Sequence, residues 1–285
     1  MSYARPGSPA PLLRKHPLAG YFLLSYSVSW TGALLVALPS LIQSAAVSST
    51  TAVLMFPAML AGPSLTGIVL TRVLDGSAGL KGLFRRMRAF TPDLHWYPVL
   101  LLPPLLVLIT LTLVSRLCSA SFRPNHFYLG ILFGIPAGFL EEIGWSGFAF
   151  PRLQARFGLL KAALLLGVLW GIWHLPVTNY LGAAAPHGAY WVPFSIAFTF
   201  VMTAMRVLIS WIYANTESVL LTQFMHIGST GALVVFSPAV TPSQETFWFL
   251  IYGCALWGVV GILAALGLLS RKTELIAGSS LRTKS

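Results

Sequence analysis

Eight apolar runs, each of about 20–25 residues, take up most of this chain. They fall near 18–42, 52–73, 95–117, 127–150, 160–179, 190–213, 217–237 and 246–270. At 1.5 Å of rise per helical residue, about 20 residues cross a hydrocarbon core of about 30 Å. Each run is therefore long enough to span a bilayer. Backbone N–H and C=O groups in lipid must be satisfied within the chain, which selects helices for such runs. The expected fold is an all-α membrane protein, a polytopic bundle of about eight transmembrane helices. Composition agrees, with 56% hydrophobic and 9% charged residues, against about 25% charged in soluble domains. The spans use up the length and leave no second globular domain. Residues 1–17 form an N-terminal segment, 18–270 the membrane domain with its motif core at 127–237, and 271–285 a basic tail.

Lysine and arginine set the expected topology. Arg5, Arg14 and Lys15 precede the first run, and Arg72, Lys81, Arg85, Arg86 and Arg88 follow the second. Arg152, Arg156 and Lys161 follow the fourth; Arg271, Lys272, Arg282 and Lys284 follow the eighth. The alternate loops hold only Arg116 and Arg123. Basic loops stay in the cytoplasm, so both termini are expected there, in the plasma membrane of a prokaryote. The net charge of +11 is thus a topology signal beside a lipid bilayer, not a nucleic-acid-binding surface. Gly79–Phe90, GLKGLFRRMRAF, reads as a short basic amphipathic helix anchored at the headgroups. Cys118 and Cys254 match no disulfide or zinc framework. The first apolar run is too long for a signal-peptide core of about 7–15 residues.

Against this background the polar residues at depth stand out. Glu141 and Glu142 lie in the fourth run, His174 in the fifth, Arg206 in the sixth and His226 in the seventh. An ionisable group in the bilayer core costs about 2.5–3.5 kcal/mol or more, so these groups must face one another or water. Adjacent helical residues project about 100° apart. Glu141 therefore shares a face with Trp145, and Glu142 with Ser146; Trp170 pairs in the same way with His174, and His226 with Thr230. A carboxylate and an imidazole from different helices can hold a water and take its proton. A second imidazole with a hydroxyl can donate to a developing oxyanion. Glu141, His174 and His226 can equally ligate a zinc ion with water in the fourth position. The expectation taken is a metal-free mechanism with no other cofactor. His16, His95, His126 and His187 fall near loops and are expected at the surface.

These residues resemble the CAAX-protease and bacteriocin-processing family of intramembrane proteases. That family carries Glu-Glu-x-x-x-Arg, Phe-x-x-x-His and His-x-x-x-Asn motifs. Here they read Glu141-Glu142-x-x-x-Ser146, Trp170-x-x-x-His174 and His226-x-x-x-Thr230. The flanks GWSGFAFPRLQARFG, WHLP and NTESVLLTQFMH are similar too, and weaker likeness extends over roughly 18–232. The resemblance implies eight helices around an intramembrane cavity open to the cytoplasmic side, and peptide-bond hydrolysis. It implies that Glu141 and His174 activate the water while His226 with Thr230 stabilises the oxyanion. Its substrates would be membrane-associated: a prenylated C-terminal motif, a bacteriocin leader or an unprenylated membrane peptide. The other readings are a proton-coupled transporter using the buried glutamates and an inactive immunity or binding protein. No internal repeat of the kind transporters carry is visible.

Ser146 stands where the family has arginine, which removes the same-helix cation from Glu142. A carboxylate at that depth needs a proton or another cation. Arg206 is the one basic residue expected inside the core, so a pairing of Arg206 with Glu142 across helices is expected.

Overall fold

The computed structural model describes residues 10–91 and 93–269. The basic tail at 271–285, Arg5 and the rest of the first nine residues lie outside the described residues. Helices dominate, and each apolar run contains one. They are α1 (Pro17–Ile42), α2 (Ser49–Arg86), α3 (Leu102–Leu117), α4 (Ile131–Gly144), α5 (Phe150–Phe157), α6 (Leu159–Trp173), α7 (Trp191–Thr216), α8 (Val219–Phe236) and α9 (Pro242–Ala265). Five described helices are long and apolar enough to cross a membrane on their own: α1, α2, α8, α9 and α7 with its preceding turn. Helices α3 and α6 are apolar but shorter. The fourth run crosses as α4 and α5 joined by a π-helical turn, Trp145–Ala149.

The helix ends follow local chemistry. Pro17 opens α1, where a missing N–H costs nothing. Ser48 accepts from Thr51 N at the start of α2, and Thr241 with Gln244 forms a capping box at the start of α9. Two expected spans are shorter than the apolar pattern suggests. The run at 95–117 is helical only from Leu102, after a separate turn at Trp96–Val99, because Pro98, Pro103 and Pro104 interrupt the ladder. The run at 160–179 ends at Trp173; Leu175–Thr178 is a separate turn containing Pro176.

Helix α2 is two helical segments that meet at a kink at Gly76, where φ is 72°, and the second, short segment carries the basic stretch to Arg86. The stretch does more than sit at the headgroups. Leu83 is fully buried, and Arg86 donates to Gly147 O at 2.9 Å.

Small residues bring α2, α4 and α8 together at close range, as membrane helices require. A Cβ at Gly144 would lie 2.2 Å from Pro63 O and 2.3 Å from the Tyr21 hydroxyl. One at Gly138 would lie 2.6 Å from Ile227 N. These contacts press the glutamate-bearing turn of α4 against its neighbours on both sides.

Candidate active site

Glu141 and Glu142 occupy the last turn of α4, and both are buried. Their neighbours four residues on, Trp145 and Ser146, lie in the π turn and donate back to them. Trp145 Nε1 donates to Glu141 Oε2 at 3.1 Å, and Ser146 Oγ donates to Glu142 Oε2. The two carboxylates then point to different partners, as 100° of helical rotation requires.

Glu142 is held by charge. Arg206 on α7 forms two parallel bonds to it, Nη1 to Oε2 and Nη2 to Oε1, each 2.9 Å. Both side chains are 0% exposed. This is the cross-helix pairing expected from the loss of the family's arginine at position 146. The guanidinium also stacks 4.1 Å above the Trp170 ring centroid, a cation–π contact. His226 on α8 places Nδ1 at 2.8 Å from Glu142 Oε1. An imidazole nitrogen facing a carboxylate donates, so Nδ1 carries the proton and Nε2 is left for other partners. Glu142 does not line the cavity described below. Its carboxylate lies behind His226, against the ring nitrogen Nδ1.

Glu141 is held differently. Trp170 Nε1 on α6 donates to Oε2 at 2.7 Å, alongside the Trp145 indole. Oε1 is buried and has no hydrogen-bond partner among the described residues. Leaving such an atom unmade costs about 1–3 kcal/mol, a cost that proteins retain at reactive groups. The motif places Trp170 where phenylalanine stands in the family pattern, and sequence reasoning missed its N–H as a donor. The signal was present: two tryptophans at positions facing a buried carboxylate, each with an indole donor to satisfy.

His174 sits where α6 breaks before Leu175–Thr178, not inside an unbroken span. Its Nδ1 donates to Trp170 O at 2.8 Å, so both histidines have Nδ1 engaged and Nε2 free of protein partners among the described residues. Trp173 and Phe198 pack edge-on to the His174 ring.

Glu141, Trp170, His174, His226 and Thr230 line one cavity of about 390 Å³. Its upper wall is apolar and largely aromatic, including Phe127, Phe194, Phe198 and Phe249. The lining rises from Glu141 to Ala52, Asn125, Ala183 and Ser237. All four lie at the end of the bundle where α1 meets α2, α3 meets α4, α6 meets α7 and α8 meets α9. The basic loops lie at the other end, where Arg152 pairs with Asp75 and Arg14 donates to Val73 O.

Below the glutamates the bundle is solid. Tyr21 stacks on Phe148, Trp145 meets Tyr21 edge-on, and Phe150 meets Tyr213 edge-on.

One further buried group lies at the mouth. Glu245 on α9 accepts from Ala183 N at 3.0 Å and Ala184 N at 2.8 Å. His187 Nε2 lies 3.2 Å from the same carboxylate, and its ring stacks on Phe194 at 3.8 Å. His187 is thus buried, contrary to the surface position expected for it; its loop folds back over the apolar wall.

The donor set Glu141, His174 and His226 was a candidate for zinc. Among the described residues no three His, Cys, Asp or Glu side chains come close enough together to hold a metal ion. No step below is routed through a metal.

Comparison with known proteins adds to this geometry. A family model described as "Type II CAAX prenyl endopeptidase Rce1-like" matches residues 123–232. The matched window holds the two glutamates, both histidines and Arg206. "CAAX prenyl protease 2" of Methanococcus maripaludis is 27% identical over 220 residues, 72% of this chain and 78% of that protein.

Proposed function

We propose, from the premise that this chain belongs to the CAAX-protease and bacteriocin-processing family of intramembrane proteases, that it hydrolyses a peptide bond of a membrane-associated polypeptide inside its cavity. The observation that carries this is the pair of environments around Glu141. One oxygen is fixed by two indoles while the other is unpaired in a cavity shared with two histidines.

In this reading Glu141 Oε1 accepts a proton from a water held between it and His174. The water oxygen bonds to the scissile carbonyl carbon, and the carbonyl oxygen becomes an oxyanion. Thr230 donates to that oxyanion, and His226 Nε2 does so when the ring carries both protons, with Nδ1 on Glu142. Glu142, behind His226, supports the positive charge the ring needs as negative charge builds opposite it, the role of the third member of a triad. The C–N bond then breaks, and the proton on Glu141 passes to the leaving amine. Arg206 neutralises Glu142 and takes no proton. The localisation that fits the basic loops is the plasma membrane, with both termini in the cytoplasm.

Purified protein in detergent, incubated with a library of apolar peptides, should release fragments detectable by mass spectrometry. Glu141→Gln should keep the fold and lose cleavage by at least about 10²–10⁴-fold, the usual worth of a general base. Equal turnover in that variant would sink the assignment. Cleavage is expected to persist with a chelator; activity lost on chelation and restored by stoichiometric zinc would overturn the metal-free route.

A further inference from the structure

The π turn at Trp145–Ala149 aims the two side chains that steady the glutamates, Trp145 on Glu141 and Ser146 on Glu142. A turn widened to i→i+5 bonding is rare and less stable than the α-helix it interrupts, so its shape depends on what holds it from outside. Two arginines do so. Arg86 donates to Gly147 O at 2.9 Å. Arg152, paired with Asp75 beside the Gly76 kink, donates to Phe148 O at 3.1 Å. Leu83 fills the space over the same turn: a Cβ on Gly147 would lie 2.5 Å from its Cδ1. Leu83 and Arg86 both belong to the short second segment of α2. The chain runs on from there to Ala89, whose carbonyl accepts from Ser218, the N-cap of the helix that carries His226.

The outer face of this stretch is of another kind. Lys81, Arg85 and Arg88 are exposed and have no acidic partner among the described residues. Phe84 and Phe90 are exposed between and beside them. Basic side chains interleaved with aromatic rings at the end of a membrane bundle match an anionic lipid surface, with rings at the acyl boundary and cations on the headgroups. We propose that the stretch from Lys81 to Phe90 docks on anionic lipid headgroups and couples them to the glutamates, with Arg86 as the positioning residue. Headgroups drawn to Lys81, Arg85 and Arg88 fix the segment. The fixed segment holds Leu83 and Arg86 against the π turn, and the turn keeps Trp145 on Glu141. The effect on catalysis rests on the hydrolase reading above; the lipid contact does not.

The full chain is reconstituted into vesicles of phosphatidylcholine, with or without phosphatidylglycerol, and given one peptide that the detergent library shows to be cleaved. With phosphatidylglycerol kcat should be at least about fivefold higher, the low end of coupling between sites, and KM little changed. Lys81→Gln, Arg85→Gln and Arg88→Gln combined should keep the rate seen in phosphatidylcholine and lose the rise. Arg86→Met should lose the rise too, and Arg86→Lys should restore part of it. A wild-type rate indifferent to phosphatidylglycerol, or a rise that survives the triple substitution, overturns the coupling. Hydrogen exchange at the amides of 81–90 reads the contact without any cleavage. It should slow in phosphatidylglycerol for the wild type and not for the triple variant. Slowed exchange with no cleavage in any vesicle removes the protease and leaves the lipid contact. Cleavage with unchanged exchange and unchanged rate removes the lipid contact and leaves the protease.

Discussion

Trp170 holds one oxygen of Glu141 with its indole N–H and carries the Arg206 guanidinium on its ring face. Those two contacts tie the base on α4 to the ion pair behind His226. Trp170→Phe keeps the ring and loses the donor. A hydrogen bond to a charged group is worth about 1.5–3 kcal/mol. Steady-state kinetics should therefore show kcat falling by roughly 10–100-fold with KM little changed; a loss confined to KM would place Trp170 in substrate binding instead. Arg206→Leu should destabilise the protein by about 3–5 kcal/mol, since it strands a buried carboxylate. Adding Ser146→Arg should recover much of this, because Ser146 already touches Glu142 and the guanidinium's space is vacated. Thermal unfolding of the single and double variants tests it, and effects that simply add would refute the exchange. The ion pair was legible in the sequence because charge at depth demands a partner and one cation was available. The role of the Trp170 N–H was not, because it depends on how α4 and α6 cross.

Elements decide where the reactive groups stand. The apolar runs were readable because lipid demands length and uniform hydropathy. Their breaks were less so: Pro176 was visible, but not that α6 ends at Trp173 and leaves His174 at the joint. The π turn at Trp145–Ala149 had no signature in composition, although it carries both side chains that donate back to the glutamates. The clamp at the mouth was missed because His187 lies in a short loop and its partner Glu245 is 58 residues away. Glu245→Ala removes the acceptor of two backbone N–H groups and of His187. Each buried donor left unmatched costs about 1–3 kcal/mol. The loop over 180–187 should then open more often, seen as at least tenfold faster hydrogen exchange at Ala183 and Ala184. Unchanged exchange there would show that stacking on Phe194 holds the loop alone.

At the scale of the whole molecule, charge and cavity divide the bundle. The charge division was plain from the order of lysines and arginines, but the direction of the cavity was not. It depends on which half of each helix packs tightly, and that follows from contacts such as Gly144 on Pro63 and Tyr21. Tight packing below the glutamates and splayed aromatics above them give a pocket with a floor. A pocket with a floor is a dead end for traffic. Whatever enters must retreat along the same path, so cut fragments and fresh substrate queue at one door. The fragment with the greasier side chains sits against the same phenylalanines that drew it in. Its departure is then governed by how readily the surrounding lipid dissolves it, which makes the bilayer the waste sink of the reaction as well as its container.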